Sequence, residues 1–254
     1  MTDPQFVVHD TKAALGAAVA ARLLAEIIDA VQLRGVAHVV LTGGSMGGTS
    51  LAGLRDAGAE LDWSRVHLWW GDERFVPLGS DERNDTQTRE VLLDHIDIPE
   101  QNVHVMAPSD GAHGGDVNAA ALAYQDDLAG YATAGAGGVI GVPAFDVLML
   151  GVGPDAHVAS LFPHHPGVRT VDANVVAVCN SPKPPPVRLS LTFTAINCAR
   201  QVWFLVAGPE KADAVAHASP PGADPWDFPA AGASGTDATI WWLDRDAAGK
   251  TLAG

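Results

Sequence analysis

Short apolar runs recur along this chain, and most of them end in glycine or charge and lead into a helical stretch. AHVVLTGG, RVHLWWGDE, DVLMLGVG and QVWFLVAG are the clearest. DVLMLGVG and QVWFLVAG show almost no polar alternation, the pattern of strands covered on both faces. Residues 11–33 carry apolar residues at helical spacing with few breakers, so the spacing predicts a helix. MGGTSLAGLRDAG, NDTQTREVLLDHI, GGDVNAAALAYQDDLAGYA and PEKADAVAHA read the same way, the second with Asn84 or Asp85 as its N-cap, the last with Pro209 in its first turn. NVHVM, NVVAVCN and RLSLT add short strands, and TDATIWWLD a last one. Strands alternating with helices imply an α/β fold: a doubly wound, mostly parallel sheet with helices on both faces. No repeat of fixed length divides the chain, and residues 1–254 are read as one domain. TAGAGGVIGVP (133–143) and the Pro/Gly-rich segment 217–235 are read as loops, the latter on the surface.

The charge balance narrows the partners. Fifteen Lys and Arg stand against 30 Asp and Glu, a formal charge of −15. Such a surface repels nucleic acid and anionic membranes at long range, so neither is an expected partner. An anionic ligand requires the few cations to be focused at one place. Cys179 and Cys198 match no metal spacing and no disulfide framework. The N-terminus lacks the basic and apolar pattern of a signal peptide, and no run reaches the ~20 apolar residues of a membrane span. A cytoplasmic location is the expectation.

In open α/β sheets ligands bind beyond the carboxyl ends of the strands. Four segments lie at such ends or can reach the same rim: TGGSMGG, GDERFVP, GVGPDAHVASLFP and the turn around PPPVRLSLT. In the first, Gly43, Gly44 and Ser45 suit a phosphate, because glycines let backbone N–H groups face a ligand at a helix start. A tight turn with no ligand explains them equally well. The spacing fits neither a Walker loop nor the dinucleotide fingerprint. In the second, Phe75-Val76-Pro77 pulls the charged segment back onto the protein, leaving Arg74 near the rim to bind phosphate or stabilise an oxyanion. In the third, His157 is the candidate for proton transfer at neutral pH. Asp155, two residues earlier, is placed to orient it. Arg188 and Lys211 join the glycine loop as a candidate phosphate clamp. His164 and His165 stand beside no metal signature, and no metal is expected. No G-x-S-x-G elbow points to a serine hydrolase.

LTGGS, WGDERFVP, DVLMLGVGPDAHVASLFPHHP, PPPVRLSLTFTAIN and VWFLVAGPEKADAV follow in the order and rough spacing of the 6-phosphogluconolactonase family, which the chain resembles over nearly its whole length. The resemblance implies a glucosamine-6-phosphate deaminase-like, Rossmann-like fold. It implies hydrolysis of 6-phosphoglucono-lactone in the oxidative pentose phosphate pathway, on a small-molecule sugar phosphate lactone and without cofactor. His157 is then the base on water, and Arg74 or a backbone N–H supports the oxyanion. Gly43, Gly44, Ser45, Arg188 and Lys211 hold the phosphate, with Asp72 accepting from a hydroxyl and Asp155 orienting the histidine. Two other readings stay open: a glucosamine-6-phosphate deaminase or isomerase, and a sugar-phosphate binder without catalysis. The related deaminases continue with Phe-Asn-Glu-Pro where this chain has SLFP, which argues against the first. The family commonly has Gly-Pro-Asp-Gly-His-Thr where this chain carries Ala156 and Val158. Ala156 fits poorly if that position takes a positive φ.

Overall fold

A seven-stranded parallel sheet organises the computed structural model, which describes residues 3–132 and 141–252. Its strands are β1 (Pro4–His9), β2 (Ala37–Leu41), β3 (Val66–Trp70), β5 (Val103–His104), β6 (Val147–Gly151), β9 (Gln201–Val206) and β10 (Ala238–Asp244). The spatial order is β1-β10-β9-β6-β2-β3-β5. A smaller antiparallel sheet, β4 (Asp72–Arg74), β8 (Arg188–Leu191) and β7 (Val175–Val178), caps the rim beyond β3. The helices are α1 (Lys12–Arg34), α2 (Gly44–Ala57), α3 (Asn84–Val91), α4 (Val117–Gly130), α5 (Phe193–Ile196), α6 (Ala212–Ala218) and α7 (Arg245–Leu252).

Alternate residues of the buried strands feed two cores. Val147 and Met149 join Leu15, Val19, Leu23 and Ile27 of α1 on one face. Leu148 and Leu150 pack with Tyr124 and Leu128 of α4 on the other. This two-sided burial is why VLML, Val147 to Leu150, is continuously apolar. The parallel, doubly wound reading of the sequence is the fold observed.

Several elements differ from the sequence reading for definable reasons. β1 was not expected. It pairs in parallel with β10 at the sheet edge, from Pro4 beside Thr239 to His9 beside Asp244, where a first-residue proline is tolerated. β4, expected as a charged loop drawn back onto the protein, is a short strand that pairs with β8, Arg74 opposite Arg188. Helix α3 is not capped by Asn84 or Asp85. Arg83 occupies the cap position without a side-chain bond. The Glu73 carboxylate instead accepts the Asn84 N–H at 2.7 Å and the Asp85 N–H at 2.9 Å. A carboxylate from another element thus serves the helix end. The first turn around Pro209 is a 3-10 turn, and α6 begins only at Ala212. Segment 217–235 is more than a surface loop: Ala230 is buried, and its N–H donates to Ala156 O at 2.9 Å. The expected loop at 133–143 lies outside the described residues as far as 140. No helix among the described residues is long and apolar enough to cross a membrane.

At the opposite edge from the glycine loops, the strand starts carry a histidine ladder. The Trp69 indole N–H donates to His38 Nδ1 at 3.2 Å. His67 Nδ1 meets His104 Nε2 at 2.9 Å, and His104 Nδ1 meets Asp127 at 3.0 Å. Burial first, then the neighbouring imidazoles, push His38 down to about 4. Burial and His104 do the same to His67, also to about 4, against the pull of Asp127. Both rings are therefore neutral when folded, whereas the unfolded chain takes up protons near the ordinary histidine value of about 6.5. Stability carried by the ladder is fully present above about pH 6.5 and lost as pH falls toward 4. The His38 shift, part of which comes from His67 and His104, corresponds to a loss on the order of 3 kcal/mol. Denaturant midpoints measured between pH 7.5 and 4.5 should fall accordingly. His38→Asn, which keeps an acceptor for Trp69, should lose part of the slope.

Candidate active site

The sheet order reverses between β2 and β6, so the loops leaving these strands diverge and open a crevice at their carboxyl ends. The Thr42 hydroxyl ties the two sides, accepting the Gly151 N–H at 3.1 Å. A cavity of about 190 Å³ occupies the crevice.

The loop after β6 is folded tightly on itself. Val158 bridges both Val152 and Leu161, and the Gly153 N–H donates to His157 O at 2.9 Å. This brings His157 Nδ1 to 2.5 Å from Asp155 Oδ1. An ionised carboxylate only accepts, so Nδ1 carries the hydrogen and Nε2 keeps the lone pair. Burial pushes the Asp155 carboxyl up, but the hydrogen bonds and charges of His157 and Lys183 outweigh it and hold the group well below the usual carboxylate range. Asp155 is therefore an anion throughout the physiological range. The imidazole is further fixed by Phe162, 4.6 Å away between ring centroids. Gly153 permits the whole arrangement, because a Cβ there would lie 1.8 Å from His157 Nδ1.

The charged segment after β3 forms the facing wall. Buried Arg83 donates to Asp85 at 2.7 Å and to Met106 O at 2.6 Å, and lies 3.7 Å from Glu73. Burial pushes the Glu73 carboxyl up, against Arg83 and three backbone N–H donors. This cluster sets Asp72 and Arg74 on the rim. The Ser160 hydroxyl donates to Asp72 at 2.6 Å. Arg74 Nη1 donates to Glu82 O, while its buried Nε has no hydrogen-bond partner among the described residues.

Of the residues expected from the sequence, His157, Arg74, Asp72, Gly43, Gly44, Arg188 and Lys211 line this one cavity, and Asp155 supports it from behind. Gly44 takes a φ of 78° at the start of α2, a conformation that favours glycine. Ser45 lines a neighbouring cavity between α2 and α3 instead. Arg188 is buried and partly committed to its own loop, donating to Pro184 O at 2.8 Å, Pro185 O at 3.1 Å and Lys183 O at 3.2 Å. Burial lowers Lys211, with Lys183 acting in the same direction.

Lys183 and Asn84 were not anticipated. Lys183 reaches Asp155 at 3.1 Å from a different loop. Its only signal in sequence was the KPPP stretch, which reads as a lead-in to Arg188. Asn84 lines the cavity and packs its amide against Gly43, where a Cβ would lie 1.9 Å from Oδ1.

The sequence profile described as glucosamine-6-phosphate isomerases/6-phosphogluconolactonase matches residues 10–242. The chain belongs to this family. Among its relatives, 6-phosphogluconolactonase of Streptomyces coelicolor is 53% identical over 249 residues, covering 97% of this chain and 94% of that protein. The 6-phosphogluconolactonase of Mycobacterium tuberculosis is 54% identical over 236 residues, 93% of this chain and 94% of that protein. Among solved structures, 6-phosphogluconolactonase from Trypanosoma brucei superposes with a TM-score of 0.85 at 30% identity, covering 100% of both chains. A monomeric glucosamine-6-phosphate deaminase shares the fold, with a TM-score of 0.75 at 18% identity over 98% of this chain and 99% of that one.

Within this family member, Gly153→Ala should keep the fold and displace the imidazole. An ångström of misplacement costs roughly 10²-fold in rate. Turnover measured beside a circular-dichroism spectrum checks this, and a variant with normal turnover contradicts it.

Proposed function

We propose that this chain is a 6-phosphogluconolactonase, acting as one catalytic domain in the cytoplasm on 6-phosphoglucono-lactone in the oxidative pentose phosphate pathway. The observation that carries the reading is the Asp155–His157 contact at 2.5 Å in a cavity lined by four cations, Arg74, Lys183, Arg188 and Lys211. With Nδ1 committed to Asp155, the lone pair on Nε2 is the only basic site the ring offers.

Hydrolysis needs three things: a base, a charge partner for the carbonyl oxygen, and a grip on the far end of the substrate. His157 Nε2 removes a proton from water, whose oxygen forms a bond to the lactone carbonyl carbon. Charge developing on the carbonyl oxygen faces Arg74, which lines the cavity. Collapse breaks the bond to the ring oxygen, and the imidazolium returns its proton to that oxygen. The product is a hydroxy acid that ionises at neutral pH. Asp155 stabilises the imidazolium between the two transfers without taking the proton itself. Gly43, Gly44, Arg188 and Lys211 hold the phosphate, and Asp72 accepts from a sugar hydroxyl. Ser45 contributes from the adjoining cavity at most. Nothing in these steps calls for a metal or organic cofactor.

His157→Ala should lower kcat by about 10²–10⁴-fold with little change in binding of 6-phosphogluconate. The assay is acid release from freshly generated 6-phosphogluconolactone, corrected for spontaneous ring opening. Undiminished kcat rejects the base assignment. Lys211→Ala should mainly raise KM, since a phosphate contact is made equally in ground and transition states. A kcat defect at normal KM would place Lys211 at the reacting carbonyl.

A further inference from the structure

Lys183 has a place in the site that phosphate binding does not explain. Its Nζ lies 3.1 Å from Asp155 Oδ1 and 3.2 Å from His157 Nδ1, so ammonium and imidazole share one carboxylate oxygen. The chain invests several contacts in holding this lysine's backbone. Lys183 O accepts from Ser181 Oγ at 2.9 Å and from Arg188 Nη2 at 3.2 Å, and the Lys183 N–H donates back to Ser181 Oγ at 3.2 Å. Arg188 also grips Pro184 O and Pro185 O. An ordinary solvated lysine has no such anchorage.

The electrostatic consequence follows from the contact distances. A carboxylate beside an imidazole favours the protonated ring, and an ammonium at the same distance disfavours it. A base that is already protonated cannot accept a proton from water. We propose that Lys183 is a positioning residue that offsets Asp155 and keeps His157 free to act as the base at lower pH than the Asp155–His157 pair alone would allow. Asp155 can then fix the ring's tautomer without turning it into a standing cation. The other charged groups facing the ring across the cavity are Lys211, Arg188 and Arg74, which act in the same sense as Lys183, and Asp72, which opposes them and accepts from Ser160. Among the described residues, only Lys183 touches the Asp155 oxygen that His157 uses.

This inference rests on the reading of His157 as base, and the test separates the two. Lys183→Met and Lys183→Arg are compared with wild type by two measurements. One is the NMR titration of the His157 imidazole in the ligand-free protein, assigned with His157→Ala. The other is the pH dependence of kcat/KM for the lactone. In Lys183→Met the imidazole should take up its proton about one pH unit higher, and the acid limb of kcat/KM should rise with it. Well below that limb, the loss in kcat/KM should reach about tenfold. Lys183→Arg, which keeps the charge, should titrate close to wild type. An unmoved titration in a folded Lys183→Met protein overturns the proposal, as does a higher KM with the acid limb in place, the signature of a phosphate ligand only. A shifted titration with an unmoved acid limb sustains the action of Lys183 on the ring and removes the base assignment to His157 instead.

Discussion

Parallel pairing of β2, β3, β6 and β9 is the constraint on which the site depends. Parallel strands all end at the same edge, so every loop that leaves them by its carboxyl end is available to one ligand. β2 and β6 are direct neighbours whose chains leave in opposite directions, and the loops that leave them bring backbone to both sides of the crevice. Backbone walls can approach a ligand closely only where side chains are small. Thr42-Gly43-Gly44 on one side and Gly151-Val152-Gly153 on the other meet that need. The histidine ladder at the opposite edge shows the same topology serving stability: the strand starts gather titratable rings that are kept neutral by burial.

The electrostatics of the cavity run against those of the molecule. A formal charge of −15 opposes the approach of a phosphorylated substrate at long range, with an effect that falls off over roughly 8 Å at physiological salt. Inside that distance four cations line a single cavity. Burial pushes Arg188 and Lys211 below their usual range, with Arg74 acting in the same direction on the first and Lys183 on the second. The acidic exterior in turn limits unspecific capture of nucleic acid by the same cations.

The sequence made His157 and Asp155 legible because their relation is local: two residues apart, in a glycine turn after a strand whose burial is plain from composition. Arg74, Asp72, Gly43, Gly44, Arg188 and Lys211 were legible once the strands were taken as parallel. Lys183 was not, since its approach to Asp155 spans 28 residues of sequence and depends on Arg188 gripping the intervening loop. Nor was the burial of Glu73 and Arg83. Three charges in succession look solvated, and only the pairing of Glu73, Arg83 and Asp85 across β4 and α3 makes their burial affordable. The cap of α3 was misread for the same reason, because its acceptor comes from a distant element. β1 was missed because an edge strand carries a weaker apolar signal than a central one.

The two departures at the histidine loop can be weighed against their surroundings. Ala156 does adopt a left-handed φ of 62°, which costs an L-residue about 1–2 kcal/mol relative to glycine. Against this, its methyl is buried in the core, and glycine would add about 0.5–1 kcal/mol of unfolded-state entropy. Its carbonyl also receives the Ala230 N–H, and the His164 N–H donates to Trp226 O at 3.0 Å, so the segment around 226–230 braces the loop from outside. Arg169 closes the brace by stacking on Trp226 at 3.6 Å. Val158 is wholly buried and bridges Val152 and Leu161, so a hydroxyl in its place would need a partner within an apolar core. Alanine and valine therefore exchange backbone ease for packing, while the Asp155–His157 contact in the same loop is 2.5 Å.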